Sequence, residues 1–318
     1  MPKPRIYVTR MIPEPALQRL AEVFEVEINR KNAPVRRTRL LEAVKGADAL
    51  LCLLTETIDK ELLDSAPRLK CVSNFAVGYN NIDVGHATAK GIAVCNTPGV
   101  LTQTTADLAW ALIMSCARRI VESDRYLRAG KFTGWEPMLL MGNDIYGKTL
   151  GIVGIGRIGR AVAKRASGFD MQVLWFDPSA DEGSLPPEYQ KSSLEELCRN
   201  SDFISIHAPL TPQTKHLISA PELALMKPTA ILVNTARGPI VDEQALIKAL
   251  RDNQIAAAGL DVFENEPEVP AELIALDNVV LLPHIGSASV ETRTKMGLLA
   301  AENAIAVIQG REPPARVN

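Results

Sequence analysis

"TLGIVGIGRIGRAVAKRA", residues 149–166, passes from an apolar run through three spaced glycines into a helical pattern. Gly154, Gly156 and Gly159 stand in G-x-G-x-x-G spacing directly behind the run. The first glycine permits a tight turn, the second a close backbone approach to a pyrophosphate, and the third close packing of helix on sheet. The free N–H groups of the helix start then favour phosphate charge. The next β-rich run, "VLWFDP", ends on Asp177. A carboxylate there can accept from both adenosine ribose hydroxyls and repels a 2′-phosphate, which predicts NAD(H) over NADP(H). Arg157 and Arg160, inside the glycine stretch, leave NADP(H) open.

On both sides of this stretch, short β-rich runs alternate with amphipathic stretches, the pattern of an α/β protein with parallel sheets. In the first hundred residues the runs are "RIYVT", "FEVEI", "ALLCLL", "LKCVSNF" and "IAVCN", with helices opening near Pro13, Arg36, Asp59 and Asp83. A single long helix is predicted from Leu101 to Gly130, capped by Thr102, Thr104 and Thr105. Six further strands follow: "TLGIVG", "MQVLWFD", "FISIHA", "AILVNT", "IAAAGLDV" and "NVVLLPH". The segment "GSLPPEYQ" (183–190) reads as a loop, and a helix over about 289–309 closes the chain.

With 318 residues the chain has room for two full cores. Lys+Arg number 35 against 37 Asp+Glu, a net −2, which gives no basic footprint for nucleic acid or an anionic membrane. The one basic cluster, "RKNAPVRRTRL" (30–40), reads as a loop and an exposed helix start. No segment approaches the roughly 18–20 apolar residues of a membrane span, and "MPKPRIYVTR" lacks the apolar region of a signal peptide. Cysteines 52, 71, 95, 116 and 198 are scattered and never in C-x-x-C spacing. Reduced core thiols in a cytoplasmic protein are expected, with no disulfide framework and no metal site.

Three strand ends carry chemistry. "ILVNTARGPIVDEQAL" ends a strand at Arg237, "AAGLDVFENEP" brings Glu266 after the next, and "NVVLLPHIGSAS" brings His284 after the one following. Taken alone, the last stretch favours a packed imidazole bonded to a carbonyl, Glu266 a solvated acid and Arg237 a surface ion pair. Ligands of open α/β sheets bind beyond the carboxyl ends of strands. As a trio at successive ends, these residues point instead to anion binding and proton transfer.

These segments, with "AVGYNNID" (76–83), "TPGVLTQTTADLAWAL" (97–112), "HAPLTPQT", "LVNTARGPIVDE", "LDVFENEP" and "LPHIGSAS", give the whole chain a resemblance. It resembles the D-isomer-specific 2-hydroxyacid dehydrogenases, and among them the glyoxylate/hydroxypyruvate reductases. The resemblance implies two doubly wound parallel-sheet domains. A flavodoxin-like substrate domain (1–99 and 286–318) and a Rossmann nucleotide domain (100–285) would enclose an active-site cleft. It implies NAD(P)H-dependent reduction of glyoxylate or hydroxypyruvate, with Arg237 binding the 2-oxo acid, His284 donating the proton and Glu266 orienting His284. It places Val77, Gly78 and Leu53 at the substrate. It places Thr105, Ile158, His207, Pro209, Thr235, Ala236, Asp261 and Gly286 at the cofactor, with Arg157, Asp177, His284 and the three glycines.

A strand-to-helix turn without ligand is the other reading of Val77 and Gly78. Trp135 in "FTGWEPMLLMG" either reaches the partner subunit's site or packs at a dimer contact, and both predict a homodimer. Val77 stands where related phosphite dehydrogenases carry lysine, which argues against phosphite as substrate. A 3-phosphoglycerate dehydrogenase is the enzymatic alternative, although the "FAVGYN" loop lacks the Arg or Lys a phosphate would want. The end at Asn318, close behind the last helix, is expected to leave no appended regulatory domain. A peptide-binding corepressor of the same fold is the non-enzymatic alternative, and the tails of those proteins have no counterpart here.

Overall fold

The computed structural model describes residues 2–31 and 33–318; Asn32, inside the basic 30–40 stretch, lies outside the described residues. The chain divides into two compact units, Met1–Leu101 with Ser287–Asn318, and Thr102–Gly286.

The first unit is built on a five-stranded parallel sheet in the order β2-β1-β3-β4-β5. The strands are β1 (Arg5–Val8), β2 (Glu25–Ile28), β3 (Ala49–Cys52), β4 (Cys71–Asn74) and β5 (Ala93–Cys95). This 2-1-3-4-5 order is the flavodoxin-like one. β3, β4 and β5 are buried along their whole length because helices cover both faces, which explains their unbroken apolar runs. Four helices intervene: α1 (Glu14–Val23), α2 (Arg37–Val44), α3 (Lys60–Asp64) and α4 (Val84–Ala89). Asp59 and Asp83 cap the last two by accepting from the N–H groups of Leu62 and His86. Two residues of the basic cluster are paired locally, Arg37 with Asp59 and Glu61, and Arg39 with Glu27 and Glu42.

The final helix of the chain, α12 (Val290–Ile308), returns to this unit. Ser73 Oγ donates to Ala300 O at 2.8 Å, and Asn303 Nδ2 to Asn96 O at 2.9 Å. Gly297 lets α12 press on α1, since a Cβ there would stand 2.8 Å from Ala16 Cβ.

The second unit carries a seven-stranded parallel sheet in the order β12-β11-β10-β9-β6-β7-β8. Its strands are β6 (Thr149–Val153), β7 (Gln172–Phe176), β8 (Tyr189–Lys191), β9 (Phe203–Ile206), β10 (Ile231–Asn234), β11 (Ala257–Leu260) and β12 (Val279–Leu281). Six were expected. The seventh, β8, forms where "GSLPPEYQ" reads as a loop: Tyr189–Lys191 pairs with β7, and Trp175 Nε1 donates to Tyr189 O at 3.3 Å.

The expected Leu101–Gly130 helix is two helices, α5 (Thr102–Ala117) and α6 (Ile120–Arg128). The break has a cause. Asn143 N–H takes the Ala117 carbonyl at 2.8 Å, and Gly142 passes so close that a Cβ would stand 2.1 Å from that oxygen. Arg119 takes a left-handed conformation (φ 50°) and pairs bidentately with Glu122 at 2.8 and 2.7 Å.

On one face, α5 and α7 (Arg157–Ala166) pack Trp110, Ile113 and Val162 against Ile152, Trp175 and Phe203. On the other lie α8 (Leu194–Asn200), α9 (Ala220–Leu225) and α10 (Glu243–Arg251), with Leu197, Leu223, Leu246 and Leu250 against Ile204 and Leu232. The short α11 (Ala271–Ile274) precedes β12. All five cysteines are free and buried. Among the described residues no helix is long and apolar enough to cross a membrane, and no cluster could hold a metal ion.

Candidate active site

The turn from β6 into α7 behaves as its glycines require. Gly154 sits at φ 92°, and a Cβ there would fall 2.5 Å from Ala208 N. A Cβ at Gly159 would fall 2.1 Å from Gly154 O, so α7 can approach β6 only without a side chain. Gly156 faces open space and caps α7, which leaves the helix's first N–H groups for an anion. Arg157 and Ile158 form the first turn. Asp177, just past β7, accepts from Ile155 N–H at 3.1 Å through Oδ2 and from the Ser179 N–H and hydroxyl through Oδ1. It therefore stands over the glycine turn with lone pairs to spare for hydroxyls.

Further along the same sheet edge, two buried polar atoms have no protein partner: Thr235 Oγ1 and His207 Nδ1. The other His207 nitrogen, Nε2, lies 2.8 Å from Ser205 Oγ. Burial pushes the imidazole down to about 3, so it is neutral and can offer Nδ1 without a charge. Orphaned polar atoms at strand ends, beside a glycine cradle, fit a bound dinucleotide. Ala236 N–H donates to Asn234 Oδ1 at 3.0 Å, and Pro209 O accepts from Thr214 Oγ1 at 2.6 Å. Buried Asp261 receives the N–H groups of Ile285 and Gly286, both at 2.7 Å. A Cβ on Gly286 would lie 3.1 Å from that carboxylate and 3.7 Å from Thr105 Oγ1. Burial raises the Asp261 carboxyl against the lowering effect of those two N–H groups and His284.

The trio of strand-end residues comes together within this unit. His284 Nδ1 lies 2.8 Å from Glu266 Oε2, while Glu266 Oε1 accepts from Phe263 N–H at 3.1 Å. Burial would raise the Glu266 carboxyl, but the hydrogen bond and charge of His284, the Phe263 N–H and Arg237 together hold it below its ordinary value. Arg237 is pulled the other way, lowered by burial and partly restored by Glu266. Its Nη1 donates to Ala236 O at 2.6 Å. His284 adopts φ 54°, uncommon outside glycine, with its N–H on Leu282 O at 3.1 Å. The surroundings thus fix its backbone in a sparsely populated region.

In the first unit, the loop after β4 is held by asparagines. Asn96 Nδ2 donates to Val77 O at 2.7 Å and Asn74 Nδ2 to Gly78 O at 2.8 Å. With both carbonyls turned to these amides, the N–H groups of Val77 and Gly78 donate to no other described residue. Leu53 is half-buried, its carbonyl accepting from Asn81 Nδ2 at 3.0 Å. Trp135 is 84% exposed, in a segment that also exposes Phe132, Met138 and Met141.

Three further residues, not singled out from the sequence, shape the substrate-like loop and the turn at Arg237: Asn74, Asn96 and Asn234, whose Nδ2 donates to Arg237 O at 2.9 Å. An asparagine at the end of a buried strand, or just past it, was the available signal, since a buried amide needs partners.

A parallel sheet with a dinucleotide turn and an arginine, a carboxylate and an imidazole at successive strand ends defines a nicotinamide-dependent oxidoreductase. Residues 110–286 match the family described as "D-isomer specific 2-hydroxyacid dehydrogenase, NAD binding domain". The chain belongs to the D-isomer-specific 2-hydroxyacid dehydrogenase family. It is 53% identical over 321 residues to the glyoxylate reductase of Korarchaeum cryptofilum, covering 99% of this chain and 96% of that protein. Among solved structures it is similar to the TT0316 protein of Thermus thermophilus (TM-score 0.94, 46% identity, 99% of this chain and 100% of that one). It is also similar to an NADPH-dependent glyoxylate/hydroxypyruvate reductase from Sinorhizobium meliloti in complex with NADP and malonate (TM-score 0.87, 35% identity, 99% and 97%).

Proposed function

We propose that this protein reduces small 2-oxo acids, glyoxylate to glycolate and hydroxypyruvate to D-glycerate, with NADH preferred over NADPH. The observation that carries the reading is the His284–Glu266 pair beside Arg237, in the unit that holds the dinucleotide turn. The names of the relatives support the substrate class.

Gly154, Gly156, Gly159, Arg157 and Ile158 would hold the pyrophosphate, Asp177 the adenosine ribose, and Thr235, His207, Pro209 and Thr105 the remainder. When bound, the reduced nicotinamide supplies a hydride from C4. Arg237 binds the carboxylate and carbonyl oxygen of the 2-oxo acid through its planar fork and polarises the carbonyl. His284, as imidazolium, donates the Nε2 proton to the carbonyl oxygen. Glu266 accepts from Nδ1–H, which fixes the ring and favours its charged form. In the first unit, the N–H groups of Val77 and Gly78 are assigned to the substrate carboxylate and Leu53 to its side chain. The NADH preference rests on Asp177, whose charge opposes a 2′-phosphate. The apolar side chains exposed over Phe132–Met141 support a homodimer, with Trp135 serving the partner's site, and the five free thiols support a cytoplasmic location.

The test is a panel of 2-oxo acids assayed with NADH and NADPH by cofactor absorbance. Glyoxylate and hydroxypyruvate should turn over, phosphohydroxypyruvate should not, and His284→Ala should lose about 10²-fold or more in turnover with NADH affinity retained. Unchanged turnover in that variant refutes the acid role.

A further inference from the structure

A second histidine–carboxylate pair lies on the same sheet edge. His216, in the connection between β9 and α9, places Nε2 2.8 Å from Glu264 Oε1. Its backbone, at φ 52°, sends its N–H to Pro239 O at 2.8 Å. Pro239 follows Arg237 by two positions, and Glu264 precedes Glu266 by two. One residue therefore grips both the turn that carries the arginine and the loop that carries the glutamate. Those segments already touch: a Cβ on Gly238 would fall 1.9 Å from the Phe263 carbonyl carbon, so neither backbone can shift toward the other.

Glu264 is tied again from below. Its N–H donates to Glu243 Oε1 at 3.1 Å, and Glu243 N–H returns to Glu264 Oε2 at 3.4 Å. Glu243 is buried at the start of α10, and two carboxylates so placed repel unless a donor offsets them. The imidazole of His216 is that donor. Among the described residues, the Glu266 carboxylate has only Phe263 N–H and His284 as hydrogen-bond partners, so its position follows that of the loop.

We propose that His216 is a positioning residue for the reduction: by holding Pro239 with its N–H and Glu264 with its ring, it sets the spacing of Arg237 and Glu266 and, through Glu266, the orientation of His284. The proposal rests on the roles given above to those three residues.

His216→Asn separates ring from backbone, because asparagine tolerates the left-handed conformation but is too short to reach Glu264. Glu264→Ala removes the acceptor that the ring meets, and serves if the first variant folds poorly. Each should lower kcat by about ten- to a hundredfold, the scale of a small misplacement of reacting groups, with the NADH dissociation constant within about twofold. The double variant should be no worse than the weaker single one, because both break one contact. His216→Gln, whose amide can donate where Nε2 does, should recover most of kcat.

A readout free of turnover is the imidazole ¹⁵N spectrum, assignable by substitution because the chain has only four histidines. The His284 Nδ1 resonance should move in His216→Asn and in Glu264→Ala. Unchanged kcat, a loss confined to NADH binding, additive singles, or an unmoved His284 resonance would each overturn the proposal. Wild-type protein inert on every 2-oxo acid would remove the proposed function instead, while the His284 resonance would still report the coupling.

Discussion

His207 makes the stability of the second unit depend on pH. An exposed histidine titrates near 6.5, whereas burial holds this one at about 3. Between those values the unfolded chain binds a proton that the folded unit refuses, so stability falls as pH drops below about 6.5 and levels off only near 3. From pH 7 to pH 5 this single group removes about 2 kcal/mol, at about 1.4 kcal/mol per pH unit below the unfolded value. His207→Gln removes the titration and leaves an amide able to meet Ser205 Oγ. The assay is urea unfolding followed by tryptophan emission at pH 5, 6 and 7. All three tryptophans, Trp110, Trp135 and Trp175, belong to the second unit, and two of them are buried in its core, so the signal reports that unit alone. The quantity to compare is the loss between pH 7 and 5 in each protein, since every other group cancels. Wild type should lose about 2 kcal/mol more than the variant. Parallel losses would show instead that the imidazole takes up its proton in the folded state at the ordinary pH.

Gly159→Ala forces a methyl to within 2.1 Å of the Gly154 carbonyl, and should cost about 1–3 kcal/mol in denaturant unfolding and weaken NADH binding in a fluorescence titration. Glu266→Gln should lower kcat by about 10²-fold while leaving the NADH dissociation constant unchanged. Because the Glu266 carboxyl is held below its ordinary value, it stays ionised into mildly acidic solution, and its support of His284 should fail only as pH falls through that lowered value; steady-state rates in acidic buffers check this. Asp177→Ala should shift the NADH/NADPH ratio of kcat/KM toward NADPH, and an unaltered ratio would count against its ribose role.

Much of the fold was legible because its determinants are local. The glycine spacing of 154–159 and the apolar runs of β3, β4, β6 and β9 announce themselves within a few residues. The break at Arg119 was not legible, since the carbonyl that ends α5 is taken by Asn143 from a segment well downstream. β8 escaped because three largely polar residues at a sheet edge carry no periodicity, and only their pairing with Val173–Trp175 defines them. In the candidate site, Arg237, Glu266 and His284 stand out as unusual residues at strand ends. The ring of His216 meets a carboxylate 48 positions away, and nothing in "TPQTKHLIS" foretells that contact.

The return of α12 to the first unit has a consequence for synthesis on the ribosome. β1 to β5 emerge early, but α12, which runs along β3, β4 and β5 and receives Ser73, arrives only after all of Thr102–Gly286 has been translated. At about 5–20 residues per second, that interval is on the order of ten to forty seconds. During it, the sheet face opposite Tyr7, Leu50 and Val72 lacks the cover that α12 later supplies. The nascent first unit must wait as an unfinished layer, open to chaperones and to neighbouring nascent chains, while the second unit can complete its own core.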